Sequence, residues 1–524
     1  MLQVTESATI DPSGREPPPR FREPSRLVAP LLLPKSALAL ALLAGCASIG
    51  GPAVAETVSA ADKAHISAIE NGLVPPIIIK GRPTPNATLA KRMADTKVPG
   101  VSIAFFDHGR IVWAKGYGLA DVASGRPVTP ETIFQAGSIS KPLTAVAALR
   151  LVEAGKLELD QDVNARLRGW QVPENGFTAQ QKVTLRRLLS HGAGLTVHGY
   201  NGYARNEPVP TTVQVLNGQA PANSAPVVVE AVPGSHWAYS GGGYVVTQLL
   251  LTEATGLSFP DLMRKEVLEP AGMAHSTYEQ PLPEPLHDRA AIGYRRNGEP
   301  VAGNWHVYPE MAAAGLWTTP SDLARWAIEV QEAYAGRSHG LLSPAMARLM
   351  LTHQIGPWGL GVQLTNQDGT RRFGHGGDDQ GFQNDLEAFT TGSRQGVVIM
   401  TNGDAGNELI AEILRAVART YGWKALQPEE RAVVVVDPAV LARYAGGYDV
   451  AGVAKLTVTA KDGRLYAAAP VLSPDPFELM AQSSSRFFVA SNGLELEFVT
   501  DANGAPTKIN IGGPFGRYEA TRAP

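Results

Sequence analysis

From about residue 430 onward the chain changes texture, and this stretch constrains its fold more tightly than any other. Short runs alternating apolar and polar residues recur there: KLTVTA, RLYAAA, FELMA, RFFVA, LELEFV and TKINI. The dipeptides Asp462-Gly463, Asn492-Gly493 and Asn503-Gly504 fall at breaks between runs. A period of two buries one face of a strand. Each dipeptide accepts the positive φ angles of a tight hairpin turn. Roughly six to eight short strands in about 95 residues predict a small antiparallel barrel or sandwich. No repeat of roughly 20–50 residues is apparent, which sets solenoids and propellers aside.

Upstream, from about residue 86 to 425, the pattern is mixed. VSIAFFDHGRIVWAKGYG has two strand-like runs around Asp107-His108-Gly109, which predicts a β-hairpin. Helical periodicity follows near 142–154, 184–189, 244–255, 260–267 and 321–334, with Gly155 and Gly256 placed as C-terminal caps. Strands are expected at 358–364 and 395–402, and a helix at 406–421 closes the unit. Strands at both ends with helices between them predict an α/β (α+β) unit, an antiparallel sheet with helices against it. Residues 56–85, with the apolar centre of GLVPPIIIKGRPTPNA, read as a linker or docking arm.

The first 55 residues read as an export segment. Arg20, Arg22 and Arg26 precede an apolar stretch whose uninterrupted run, Ala37 to Ala44, is too short to span a bilayer as a helix. Leu43-Ala44-Gly45-Cys46 resembles the lipobox of bacterial lipoproteins, which implies that Cys46 carries a lipid. Ala53-Val54-Ala55 offers a competing cleavage site of ordinary small-x-small form. Both readings place the mature protein in the periplasm, lipid-anchored in the first and soluble in the second. Cys46 is the single cysteine of the 524 residues, so no intrachain disulfide and no cysteine metal cluster can form. The net charge of −3 provides no basic excess for neutralising phosphates, which argues against a nucleic-acid partner.

The chemistry concentrates in three segments. In Phe134-Gln-Ala-Gly-Ser138-Ile-Ser-Lys141-Pro142, Ser138 and Lys141 are three residues apart where an apolar-periodic helix begins. That spacing puts both side chains on one face. The positive end of the helix dipole favours negative charge developing on the serine. In Pro233-Gly-Ser-His-Trp-Ala-Tyr239-Ser240-Gly241, a turn presents Tyr239 just before a second helix, where its phenol could act as a base, with His236 nearby. In Phe373-Gly-His375-Gly376-Gly377-Asp378-Asp379, glycines within a strand mark a close approach of backbone or ligand. His375 with Asp378 and Asp379 lacks the spacing of a metal site, and His191 in Leu-Ser-His-Gly reads as a structural histidine.

Taken in order, these segments resemble the motifs of the penicillin-recognising serine hydrolases, a family that includes class C β-lactamases, D,D-peptidases, D-aminopeptidases and esterases. Ser138-x-x-Lys141 is similar to the first motif, Tyr239-Ser240-Gly241 to Tyr-x-Asn, and His375-Gly376-Gly377 to the Lys-Thr-Gly or His-x-Gly element. The resemblance covers about 90–425. It implies a β-lactamase-like fold and, beyond 430, a lipocalin-like barrel such as some family peptidases carry. It implies Ser138 as nucleophile, with Lys141 and Tyr239 sharing the proton work. The backbone N–H groups of Ser138 and Asp378 would form the oxyanion hole. His375 would anchor a substrate carboxylate or steer the tyrosine proton, and Gly241, Gly376, Gly377 and His236 would line the substrate.

The implied route is an acyl-enzyme hydrolysed by water, without metal or cofactor. The expected substrate is an amide bond in a small or unusual peptide. An ester, slow β-lactam hydrolysis, or an acyl-trapping sensor without turnover stand as alternatives. The membrane enters only through the lipid anchor. Gly241 departs from the family pattern: the missing Asn amide normally holds the substrate's acyl-side amide.

Overall fold

The computed structural model describes residues 59–337, 339–367, 369–450, 454–469, 476–513 and 516–523. The export segment and Cys46 lie outside them.

Seven strands form the central sheet: β1 Gly100–Asp107, β2 Arg110–Asp121, β3 Arg126–Pro127, β4 Gln363–Gln367, β5 Thr370–Asp379, β6 Phe382–Phe389 and β7 Gly396–Thr401. Their order is β3-β2-β1-β7-β6-β5-β4, antiparallel throughout. The hairpin turn between β1 and β2 has His108 at φ 51° and Gly109 at φ 77°, the two positive angles that match the strand twist.

β1 and β7 read as almost unbroken apolar runs because both of their faces are buried. Val101, Ile103, Phe105, Val397 and Ile399 enter one core. Ala104, Phe106, Val398 and Met400 enter the other. The helices that matter here are α1 Ala60–Glu70, α2 Ser140–Glu153, α3 Gly241–Thr255, α4 Met311–Ala314, α5 Pro320–Tyr334 and α6 Gly406–Thr420. α1 and α6 pack together over the first face. α2, α3 and α5 belong to the second, which carries the larger core. Part of the stretch read as a linker, 56–85, is therefore folded: Ile66 and Ile69, three apart on α1, are buried in the first core.

Helix boundaries follow local chemistry. Thr319 caps α5 by accepting from the Asp322 N–H, with Pro320 at the first helical position. Gly256 ends α3 at φ 70°. The helix expected at 260–267 is a short α segment, Phe259–Met263, that widens into a π turn at Arg264–Leu268. The strand expected at 358–364 begins only at Gln363. Gly361 at φ 89° prevents an earlier start and turns Trp358 inward.

The C-terminal region is a closed barrel of eight antiparallel strands between Gly446 and Arg522. Tyr448 pairs with Arg522 to close it. Leu456, Val458, Phe487, Leu496, Phe498 and Ile509 fill its interior. Helix Pro438–Tyr444, which the sequence pattern did not reveal, adds Leu441 and Tyr444 to that core, and Tyr444 stacks on Phe498 with centroids 4.1 Å apart. Asp437 caps this helix through the Ala439 N–H. At the junction with the hydrolase-like unit, Ile77–Ile79 pairs in parallel with Glu429–Arg431. Arg431 reaches Glu495 of the barrel at 2.7 Å.

Candidate active site

Ser138 sits in a 3-10 turn, Gly137–Ile139, that runs straight into α2. Pro142 falls in the first turn of that helix, where its missing N–H costs little. The turn is pinned from several sides. Ser140 Oγ donates to the Gly137 carbonyl at 2.7 Å and accepts from the Leu316 N–H at 3.0 Å. The Ala136 N–H donates to the Leu316 carbonyl at 2.8 Å. Lys141 is buried, and its Nζ lies 2.9 Å from both Ser138 Oγ and the Ala313 carbonyl on α4. The Ser138 hydroxyl and the Lys141 side chain are thus in direct hydrogen-bond contact.

β5 passes directly behind the serine. A Cβ on Gly137, which has φ 54°, would lie 2.6 Å from the Asp378 nitrogen. One on Gly377 would lie 2.0 Å from the Ala136 carbonyl oxygen. Only glycines permit this approach. Pairing of β5 with β4 ends at Gly374, so His375 to Asp379 has no strand partner on that edge. The backbone of Asp378 therefore lies against Gly137, the residue before Ser138.

Tyr239 is the last residue but one before α3. Ser240 caps that helix by accepting from the Gly243 N–H at 2.9 Å, and donates to the Thr196 carbonyl at 2.9 Å. Lys141 Nζ lies 5.0 Å from the Tyr239 ring centroid. Tyr239 stands in an aromatic cluster: His191 at 4.2 Å, Trp358 at 5.9 Å and His375 at 6.1 Å between centroids. His191 Nδ1 accepts from the Ser240 N–H at 3.1 Å. The histidine read as structural therefore holds the tyrosine's loop and touches its ring. Four ring nitrogens of the cluster are buried without a partner: His191 Nε2, Trp237 Nε1, Trp358 Nε1 and His375 Nε2.

A cavity of about 430 Å³ opens on Ser138, Lys141 and Tyr239. Asp378, Asp379 and Gln380 from the end of β5 line it, as do Ala313 and Ala314. His198, Gly199, Tyr200 and Asn201 complete the wall. This loop lacks any chemical motif of its own, and no sequence signal pointed to it. The His198 Nδ1 and the Tyr239 carbonyl form a short hydrogen bond.

His375 is buried beside this cavity rather than on its wall. Burial and the nearby Lys141 ammonium push its imidazole down to about 3, so it is neutral. Nδ1–H donates to the Gly376 carbonyl at 2.6 Å, which leaves Nε2 as an acceptor. A neutral, buried imidazole brings no charge to a substrate carboxylate, and its free Nε2 is an acceptor. His191 is held well below its usual range by burial, then by Lys141 and His375. Asp379 is pushed well above the ordinary carboxylate range by burial and by its neighbour Asp378. His236 is exposed, bonded to Ser235 Oγ at 2.9 Å, and outside the cavity wall. Pro233-Gly234 turns it outward, with Gly234 at φ 90°. Gly241 is buried behind Tyr200, Gly377 is buried behind Ser138, and Gly376 is exposed.

A family profile described as beta-lactamase matches residues 86–421, well over half of the chain. The chain belongs to the beta-lactamase family. A second profile, a domain of unknown function, matches residues 430–519, the barrel. The chain is 24% identical over 429 residues to penicillin-binding protein 4* of Bacillus subtilis (strain 168), covering 76% of this chain and 90% of that protein. It is 28% identical over 335 residues to penicillin-binding protein 4 of Amycolatopsis lactamdurans, covering 61% and 84%. Among solved structures, the octameric penicillin-binding protein homologue from Pyrococcus abyssi superposes with a TM-score of 0.56 at 23% identity, covering 83% of this chain and 98% of that one. The last likeness establishes the fold.

Proposed function

We propose that the protein is a serine hydrolase that cleaves an amide bond in a small peptide or amino-acid amide through an acyl-enzyme. The observation that carries this is the 2.9 Å contact of Lys141 Nζ with Ser138 Oγ at the floor of the cavity. Ser138 Oγ attacks the carbonyl carbon as its proton passes to the deprotonated member of the Lys141–Tyr239 pair, the other member staying protonated and hydrogen-bonded to it. The oxyanion is received by the backbone N–H groups of Ser138 and Asp378. The C–N bond then breaks, the proton goes to the leaving amine, and water repeats the sequence on the acyl ester.

Charge narrows the substrate. The cavity wall has no arginine and no lysine besides Lys141, whose ammonium is engaged by Ser138 and Ala313. Asp378 and Asp379 at the end of β5 are both pushed above the ordinary carboxylate range by burial. The absence of an unengaged cation on the wall favours a substrate that is neutral near the scissile bond over a free carboxylate. Gly241 favours a second reading, an esterase, because no Asn amide is present to hold an acyl-side amide.

Aminoacyl p-nitroanilides of both configurations, matched p-nitrophenyl esters and a carboxylate-bearing analogue test this on the purified full chain. Turnover that Ser138→Ala abolishes supports the hydrolase. A stable Ser138 adduct by intact-protein mass spectrometry, without turnover, overturns it in favour of an acyl trap. Preference for the carboxylate-bearing substrate overturns the charge argument. We also propose export with lipid attachment at Cys46, on the sequence signals alone. Cys46→Ser should then shift the protein from the membrane to the soluble periplasmic fraction or a precursor.

A further inference from the structure

Gly241 removes a side chain from the second motif, yet the space above it is filled. A Cβ at Gly241 would lie 3.1 Å from Tyr200 Cε2, 3.4 Å from its Cδ2 and 3.2 Å from the His198 carbonyl oxygen. The loop 196–201 is held against the start of α3 by two hydrogen bonds: Gly241 N–H to the His198 carbonyl at 3.2 Å and Gly242 N–H to the Val197 carbonyl at 2.9 Å. At Gly242 a Cβ would come within 2.6 Å of the Thr196 carbonyl oxygen, so the paired glycines are what let the loop dock. Val197 takes φ 64°, a costly angle for a β-branched residue, and such strain persists where the surroundings enforce it.

Tyr200 divides two cavities. One is the cavity of about 430 Å³ on Ser138. The other, of about 370 Å³, lies across the same loop and is lined by Val197, Ala225, Pro226 and Val228, among others. His198, Gly199, Tyr200 and Asn201 belong to both walls. The Tyr200 hydroxyl is buried and has no hydrogen-bond partner. Burial, then Glu310 and Tyr203, hold its phenol in the neutral form.

We propose that Tyr200 is a specificity-determining residue that limits the acyl group to a short one by standing, with its loop, between the cavity on Ser138 and the second cavity on the loop's other side, whose wall mixes Val197, Pro226 and Val228 with Asn223 and Ser224. The proposal rests on the hydrolase reading. A short acyl group fits against the ring, and an acyl-side amide finds no polar partner at Gly241. A longer acyl chain must displace the ring to reach the second cavity.

The test is kcat/KM for p-nitrophenyl acetate, butyrate and octanoate with the wild-type full chain, Tyr200→Ala, Tyr200→Phe and Ser138→Ala. The expected result is that Tyr200→Ala raises the octanoate-to-acetate ratio about tenfold, chiefly through KM, as the cavities merge. Tyr200→Phe keeps the ring and should retain the wild-type ratio. An unchanged ratio in a folded Tyr200→Ala, shown by an intact thermal transition, overturns the proposal. So does a Tyr200→Phe ratio that moves like Tyr200→Ala, because the hydroxyl would then be the determinant. Ser138→Ala separates the two levels: if it hydrolyses the series as fast as wild type, the hydrolase reading fails and the Tyr200 assignment with it.

Discussion

The interior around Tyr239 and the interior of the C-terminal barrel are built on opposite terms. Around Tyr239, His191, Trp237, Trp358 and His375 bury ring nitrogens without partners, and elsewhere in the same core Glu310 buries its Oε2 the same way. Among the described residues of the barrel strands, no buried side-chain polar atom lacks a partner. Its centre is Leu456, Val458, Phe498 and Ile509, set around the stacked Tyr444. Each unsatisfied buried group costs about 1–3 kcal/mol. The hydrolase-like unit tolerates several in one place, beside the point where Ser138, Lys141 and Tyr239 converge. Unsatisfied groups of this kind are expected where a fold serves a site rather than its own stability.

The comparison breaks first, and most heavily, at the reacting atoms. Ser138→Ala and Lys141→Ala should each lower kcat/KM by about three decades or more, and Tyr239→Phe by about two to four. All three should melt close to wild type. A large loss of stability in step with activity would mean that these side chains hold the fold after all.

The barrel offers the converse case. Phe498→Ala should cost about 3–5 kcal/mol, the range for a fully buried aromatic. Denaturation followed by barrel tryptophan-independent probes such as circular dichroism would show it, while kcat measured well below the transition stays near wild type. A proportional fall in kcat would tie the barrel to the chemistry.

The third test uses pH. Glu310 is fully buried, and burial pushes its carboxyl up to about 7. Between its ordinary value near 4.5 and 7, the folded chain holds a proton that the unfolded chain has released. Stability should therefore fall as pH rises through that window and level off above it, by about 3 kcal/mol at most. His375, pushed down to about 3, acts in the other direction, with stability falling as pH drops from about 6.5 toward 3. Glu387, also mostly buried, is pushed up to about 7 by burial as well, so Glu310→Gln should flatten this slope in part rather than abolish it, measured by urea unfolding from pH 5 to 8. A slope left unchanged would place its origin elsewhere.

The smallest effect belongs to the barrel surface. Lys508 and Glu519 form an exposed ion pair at 2.7 Å. Lys508→Ala should change stability by less than about 1 kcal/mol. A larger shift in the unfolding midpoint would show that the barrel depends on its surface as well as its core.

Legibility in the sequence followed the same division. The barrel was readable because alternation and turn dipeptides are local signals, and local signals fixed its strands. Helix Pro438–Tyr444 escaped because seven residues carry too few turns for a period to show. At the site, Ser138, Lys141, Tyr239 and His375 were readable because each sits in a compact motif. Tyr200 and His198 were not, because they reach the site through the docking of a loop some 40 residues before Gly241, which only the fold brings about. His236 shows the opposite failure: it is close to Tyr239 in sequence, but a turn at Gly234 sends it to solvent. Trp358 was taken as part of a strand, and the glycines around it turn it into the aromatic cluster instead.

The pairing of β1 with β7 also sets a timetable. Ile103 is hydrogen-bonded into register beside Ile399, roughly three hundred residues later. During synthesis the first hairpin must therefore wait, its apolar edge unpartnered, until the last sheet strand has emerged from the ribosome. The barrel waits far less: only its closure, Tyr448 against Arg522, joins its first strand to its last, and that span is roughly seventy residues. The central sheet of the hydrolase-like unit is thus the part of the chain whose apolar edge stays unpartnered longest while it is being made.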